Sequence, residues 1–341
     1  MKAIGYNKSL PITNPESLMD IELAQPIAKG RDLLVKISAI SVNPADYKVR
    51  LNMAPEAGEF KVLGWDAMGE VVAIGDAVTG FKPGDLVYYA GDITRQGNNA
   101  EYHLVDERIV GKKPKSLSNG EAAALPLTAI TAWEILFEHL AIKQQSAALN
   151  AKSNEVILVV GAAGGVGSIL VQLAKAITSA TVIGTASRES SNAWVRKLGA
   201  DHVIDHSKPL KEQIEALNIG QVTHIASLNS TDTYFEAYTD LIAPFGKIAM
   251  IDDPESLDVT KLKAKSLSLH WEFMFARSMF SAVDMHEQGI LLNRVANLVD
   301  EGYVNTTVGK NLGAINAENL RAAHEALETG RSIGKIVLEG F

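Results

Sequence analysis

Up to about Leu125 the chain is built of short apolar or alternating runs, LLVKISAISV, MGEVVAIG, DLVYYAG and AEYHLV, separated by Gly- and Pro-containing breaks. A period of two between turn residues predicts strands. GDAVTGFKPGD packs turn residues between two of those runs, as a compact barrel-like sheet requires. Near Gly120 the rhythm changes: EAAALPLTAITAWEILFEHL reads as helices interrupted at Pro126, and the polar stretch KQQSAALNAKSN follows. From Val156 strands and helices alternate, as VILVV, SILVQLAKAI, TVIGTAS, a helix from Asn192 to Leu198, HVID, LKEQIEAL, HIASL, a further helix and GKIAMID. Such alternation predicts a parallel sheet covered on both faces. Beyond about Lys265 the texture is mixed, with a helix over Ile290 to Asp300, the helix NAENLRAAHEALE ended by Gly330, and a last strand GKIVLE expected to fold back onto the first domain. The expected fold class is α/β: a β-rich domain over 1–125, a doubly wound parallel-sheet domain over 126–270, and a return segment over 271–341.

The junction between VILVV and SILVQLAKAI carries the clearest candidate chemistry. Gly161, Ala162, Gly164, Gly165, Val166 and Gly167 form an AxGxxG pattern preceded by one more glycine, at a strand-to-helix turn. A helix N-terminus there offers free N–H groups and a positive dipole end to a pyrophosphate, and glycine lets the backbone approach it. Glycine turns also serve tight packing alone, so the flanking strand and helix make the argument. The next strand ends Gly184, Thr185, Ala186, Ser187, Arg188. No carboxylate stands where an NAD site holds the ribose hydroxyls, and Ser187 with Arg188 suits a 2′-phosphate, so NADP(H) is the expected cofactor. Glu189 follows at once and counts against this.

Composition narrows the alternatives. The chain has 341 residues, 47% hydrophobic, with a net charge of −8, which gives no basic surface for nucleic acid or anionic membrane. Four glycines, Ser168 and Gln172 argue against a membrane span over Val156 to Ala174. The N-terminus has no signal-peptide-like apolar block, and the expected location is the cytoplasm. Cysteine is absent, which removes disulfides, thiolate nucleophiles and cysteine-based metal sites.

AAGGVG after a strand, KLGADHVID, APFGKIAMID, SVNPADYKVR and GWDAMGEVVAIGDAVTGFKPGDLVY together resemble the medium-chain dehydrogenase/reductase superfamily, specifically its zinc-free quinone-oxidoreductase branch. KSLSLHWEFMFARSMF and SIGKIVLEG are similar to a bacterial subgroup labelled zinc-type or zinc-binding alcohol dehydrogenase family protein. The resemblance implies a GroES-like catalytic domain, an inserted Rossmann domain and an active site in the cleft between them. Zinc-containing relatives need Cys where Asn43 stands, a His-Glu pair where Trp65 and Asp66 stand, and a further ligand near Leu127. Asn, Trp and Leu do not supply such ligands, so no metal is expected. The relatives carry a Tyr where His206 lies and a Lys a few residues beyond Arg188, near which Arg196 and Lys197 stand here.

Without a Lewis acid, conjugate reduction is easier than reduction of a simple ketone, because hydride goes to carbon and charge appears on a distant oxygen. The resemblance places Asn43 and Tyr47 among the substrate-facing groups, where an amide N–H and a phenol O–H suit that oxygen. Tyr47 or water relays the proton, and Asp46 orients its neighbours rather than acting as a base. Asn43 also suits a plain Asn-Pro turn, and Arg50 suits either the cofactor or solvent. Trp65, Thr128 and Phe275 align with positions that line the nicotinamide side in relatives; Trp65 and Phe275 are equally suited to a core, and Thr128 is the better cofactor contact.

The expected function is NADPH-dependent hydride transfer to a quinone or α,β-unsaturated carbonyl, with no metal and a small-molecule substrate. An alcohol dehydrogenase or carbonyl reductase is the alternative, and a non-enzymatic nucleotide- or RNA-binding protein is the second. A homodimer is expected, built through an edge strand near KSLSLHWEF.

Overall fold

The structure is a computed structural model that describes residues 1–145 and 154–341, so part of the expected polar stretch KQQSAALNAKSN lies outside the described residues. The chain divides into two units. One comprises Met1–Ile130, Phe275–Gly302 and Thr306–Phe341, and the other comprises Thr131–Met274 with Tyr303–Asn305.

The first unit is organised around the strand Asp32–Val42, whose Leu33, Val35, Ile37 and Ile40 are buried. It is long enough to pair antiparallel with Ala67–Ile74, Tyr102–Asp106 and Lys335–Glu339 in one sheet. A smaller sheet joins Met19–Glu22, Lys2–Tyr6 and Lys61–Val62. The chain's last strand is locked in register by Ile336 opposite Val42 and Val337 opposite Ser41. Ser41 Oγ donates to the Ile336 carbonyl at 2.9 Å. The register sets Lys335 beside the end of the Asp32–Val42 strand, where the helix Pro44–Asn52 begins. Pro44 suits the first turn because its missing N–H is not needed there, and the Asn43 N–H donates to Asp46 Oδ2 at 2.7 Å.

The second unit is a parallel sheet of six strands in the order His202–Ile204, Thr181–Thr185, Val156–Val160, Val222–Ser227, Ile242–Met250, Ser268–Trp271. Chain order along it is 3-2-1-4-5-6, the Rossmann arrangement. Buried Leu158, Ile183, Ile225 and Ile248 make the continuous apolar interior that a sheet covered on both faces demands. Val156–Val160 has the second strand on one side and the fourth on the other, so the turn that follows it stands at the topological switch point. Among the described residues no helix is long and apolar enough to cross a membrane.

Candidate functional site

In the Rossmann unit the glycine turn is shaped for close backbone approach. Gly161 has φ +81°, a conformation L side chains rarely adopt, and an added Cβ would lie 2.8 Å from Asn229 Oδ1. A Cβ on Gly167 would meet Ala162 Cα and the Gly161 carbonyl oxygen, each at 2.5 Å, so only glycine lets the helix pack against the turn. Gly164 is the N-cap of the helix Gly165–Ile177 and brings no side-chain cap to its first-turn amides. Ala162 is buried, while Gly164, Gly165 and Val166 are half-exposed. These residues fit a pyrophosphate, which would accept from uncapped N–H groups at the positive end of the helix dipole.

Around the turn stand the ends of two neighbouring strands. The Gly161 N–H donates to Thr185 Oγ1 at 3.2 Å, and His206 Nδ1 lies 3.2 Å from the same oxygen. Burial holds His206 below the usual histidine range, opposed by Asp205 and aided by the positive charge of Arg188. Arg188 is half-buried, Ser187 and Glu189 are exposed, and Ser191 Oγ bonds the Arg188 backbone at both N–H (3.2 Å) and C=O (2.9 Å). The turn glycines, Arg188 and His206 are thus gathered at one end of the sheet. Arg196 donates to Asn192 Oδ1 at 2.8 Å, and Lys197 Nζ sits 5.9 Å from the Trp194 ring centroid. Thr185 did not figure among the expected site residues; a hydroxyl on the strand's last position, facing the glycine turn, is the signal that points to it.

In the β-rich unit a buried polar cluster has formed. Asn43 and Asp66 are 1% and 0% exposed, and Lys335 is 3% exposed. Asp66 Oδ1 accepts from the Leu127 N–H at 2.7 Å, and Oδ2 accepts from Asn43 Nδ2 at 2.8 Å and from Lys335 Nζ at 2.9 Å. Lys335 Nζ also donates to the Val42 carbonyl at 2.9 Å and to Asn43 Oδ1. Burial pushes Asp66 up from the usual carboxylate range, and Lys335, the Leu127 N–H and Asn43 pull it back. Asp46 is also fully buried, and burial pushes it up to about 7, against the Asn43 N–H and the charge of Lys335.

The other expected site residues are distributed around this cluster. Tyr47 is half-buried, and its phenol makes no hydrogen bond among the described residues. Trp65 is fully buried, packed edge-on against Phe275 with centroids 5.9 Å apart, and its Nε1 has no hydrogen-bond partner among the described residues. Thr128, 2% exposed, donates to the carbonyl of Leu125, just ahead of its helix, at 3.1 Å. Arg50 corrects the expectation of a cofactor- or solvent-facing side chain. It is 0% exposed, and its guanidinium donates to the Leu10 carbonyl, to Glu328 Oε1 and, at 3.4 Å, to His324 Nδ1. It ties the helix Pro44–Asn52 to the helix Ala317–Glu328.

These residues do not fit a catalytic zinc. Tetrahedral zinc takes thiolate, imidazole or carboxylate ligands with one position open, whereas the centre of this cluster is an ammonium with three acceptors. Among the described residues no group of three or more His, Cys, Asp or Glu is arranged to hold a metal ion.

Residues 29–115 match the model of the alcohol dehydrogenase GroES-like domain, and residues 198–338 match that of the zinc-binding dehydrogenase family. A zinc-type alcohol dehydrogenase-like protein of Staphylococcus aureus is 40% identical over 339 residues, 99% of either chain. The 2-methylene-furan-3-one reductase of Solanum lycopersicum is 32% identical, over 99% of this chain and 79% of its own. The crystal structure of a putative zinc-dependent alcohol dehydrogenase protein from Rhizobium etli superposes with a TM-score of 0.95 at 53% identity, covering 100% of this chain and 98% of that one. With a GroES-like β-rich unit, a Rossmann unit in 3-2-1-4-5-6 order and these relatives along nearly its whole length, the chain belongs to the medium-chain dehydrogenase/reductase superfamily of oxidoreductases.

Proposed function

We propose that the protein is an NADPH-dependent reductase that transfers hydride to an activated carbon of a quinone or an α,β-unsaturated carbonyl, with no metal. The observation that carries this reading is the set of acceptors around Lys335. An ammonium hydrogen-bonded to Asp66, Asn43 and the Val42 carbonyl supplies no Lewis-acid position, which favours an acceptor whose conjugation already activates it. The activity for which the tomato relative is named, reduction of a 2-methylene-furan-3-one, supports the same substrate class.

The nicotinamide supplies the hydride when bound. Gly164, Gly165 and Val166 would hold the pyrophosphate of the dinucleotide, and Arg188 with Ser187 would hold its 2′-phosphate. Hydride adds to the carbon β to the carbonyl, the alkene electron pair shifts, and negative charge develops on the carbonyl oxygen. Tyr47, with an unengaged phenol, and the second N–H of Asn43 Nδ2 are the donors assigned to that oxygen. Tyr47 or water delivers the proton that completes the reduction.

The deciding experiment follows NADPH oxidation over a panel of quinones, enals and enones, and the reduction of NADP+ or NAD+ over simple alcohols, each with and without a chelator. Chelator-insensitive turnover of a conjugated acceptor supports the reading. Turnover confined to simple alcohols, lost with stoichiometric zinc on chelation, replaces it with an alcohol dehydrogenase. A homodimer belongs to the same proposal: Ser268–Trp271 is the last strand of its sheet, paired on one side only, and Trp271 is 58% exposed. Light scattering that finds only monomer at micromolar concentrations removes this part.

A further inference from the structure

We infer that Lys335 is a positioning residue of the candidate active site, a built-in cation that fixes which way the Asn43 carboxamide faces. This rests on the function proposed above. An ammonium has three N–H bonds and no acceptor, and all three find partners here: the Val42 carbonyl at 2.9 Å, Asp66 Oδ2 at 2.9 Å and Asn43 Oδ1. Lys335 therefore has no donor left for a substrate, and its role is exerted through its neighbours.

The neighbour with a choice is Asn43. Its Oδ1 faces the ammonium, and its Nδ2 donates to Asp66 Oδ2 at 2.8 Å. Rotating the carboxamide by half a turn would aim an N–H at the ammonium and a carbonyl oxygen at the carboxylate, two repulsive contacts in a site shut off from water, where both cost most. Lys335 and Asp66 thus read the amide from opposite ends and allow one orientation. That orientation leaves one Nδ2 hydrogen for a substrate oxygen; the opposite one would redirect the NH2 group and present an acceptor instead.

The arrangement is assembled from distant parts of the chain. Asn43 follows the strand Asp32–Val42, Asp66 precedes Ala67–Ile74, Leu127 lies in the first turn of a helix, and Lys335 begins the last strand. The antiparallel register of Ile336 with Val42 brings Lys335 to the others. A cation with fixed partners is held here by a cluster that lacks the ligand set zinc requires.

The test compares the parent with Lys335→Arg, Lys335→Met and the charge-neutral Lys335→Met/Asp66→Asn, which avoids leaving an unpaired buried carboxylate if Lys335→Met alone fails to fold. Two readouts are taken. One is kcat and KM on the best conjugated acceptor, and the other is the pair of Asn43 side-chain amide proton signals by NMR, assigned by their loss in Asn43→Ser. Measured against Asp66→Asn alone, which removes the other partner of the amide, the double variant should keep the fold and the KM for NADPH, lose about a hundredfold in kcat through a misplaced donor, and show the Asn43 amide protons shifted and exchanging faster. Lys335→Arg should restore part of both. Unchanged kcat in the double variant overturns the inference, and so does a fall in kcat with the Asn43 signals unmoved. If the parent reduces no conjugated acceptor, the proposed function fails, and unmoved Asn43 signals still decide against Lys335 on their own.

Discussion

A Cβ placed on Gly167 would lie 2.5 Å from Ala162 Cα, so the first turn of the Gly165–Ile177 helix touches the backbone of the preceding loop with no room for a methyl group. Both atoms belong to backbone, and neither yields by a rotamer change. Gly167→Ala should therefore displace the helix N-terminus, lowering stability by about 1–3 kcal/mol and weakening NADPH binding together with it. Gly164→Ala is the matched control, because its nearest neighbour is the Gly161 oxygen at 3.4 Å and its φ is −74°. Melting temperature should separate the two, since Gly164 itself belongs to the proposed pyrophosphate cradle and NADPH affinity can fall in both variants, and equal melting temperatures would show that the close approach carries no weight.

Cofactor choice rests on the end of Thr181–Thr185. With no carboxylate at the strand end and Arg188 half-buried beside His206, NADPH should bind more tightly than NADH. Arg188→Ala should narrow the gap by about 1–3 kcal/mol, the worth of a charge-assisted hydrogen bond. The ratio of the two dissociation constants before and after the substitution checks this. A parent that binds both cofactors equally leaves Arg188 a helix-start charge only.

The reach of sequence reasoning differed between these sites for a physical reason. Strand, glycine turn and helix are contiguous between Val156 and Ile177, so the cradle is written in one stretch, and the alternation after it implied a parallel sheet. The cluster around Lys335 is not local. Asp66 was visible only as a residue occupying a position that a metal ligand holds in relatives, Asn43 both in that way and as a substrate-facing group or an Asn-Pro turn, and Lys335 passed as an ordinary member of SIGKIVLEG. Its meaning depends on a strand register joining residues 335–339 to 39–42. A lysine opening the buried strand KIVLE was the available signal, since a buried ammonium requires partners. Arg50 failed for the same reason: its partners Leu10, His324 and Glu328 are brought to it by the fold, and on a helical wheel alone it was compatible with solvent or ligand.

Asp46 gives a pH signature. Burial raises its folded pKa to about 7, above the ordinary carboxylate value, so between about 4 and about 7 the folded state holds a proton that the unfolded chain has released. Stability from this group is greatest at low pH and declines as pH rises through that window, then levels off. Buried His103 and His324, held down to about 4 and about 3, act in the opposite direction, since the unfolded chain binds protons there that the fold does not. The difference between parent and variant isolates the carboxylate. Asp46→Asn should gain stability relative to the parent steadily from about pH 4 to about pH 7 and hold constant above it. Parallel melting curves across that range would show that Asp46 is ionised throughout.

The sharpest test of the chemistry falls on Tyr47 rather than on Asn43. Asn43 accepts from Lys335 and donates to Asp66, so Asn43→Ala disturbs the buried cluster as well as any contact with substrate, and a loss of rate would have two readings. Tyr47 is half-buried, with a phenol that makes no hydrogen bond among the described residues. Tyr47→Phe removes one oxygen and leaves no internal partner unsatisfied, so melting temperature and NADPH affinity should stay with the parent. A donor to a developing oxyanion is worth about 3 kcal/mol, or roughly a hundredfold or more in kcat. Steady-state kinetics on the best enone or quinone should show that fall in kcat with little change in KM. If Tyr47→Phe turns over at the parental rate, the oxygen is held by Asn43, by backbone N–H groups or by water, and the phenol has no part in the reaction.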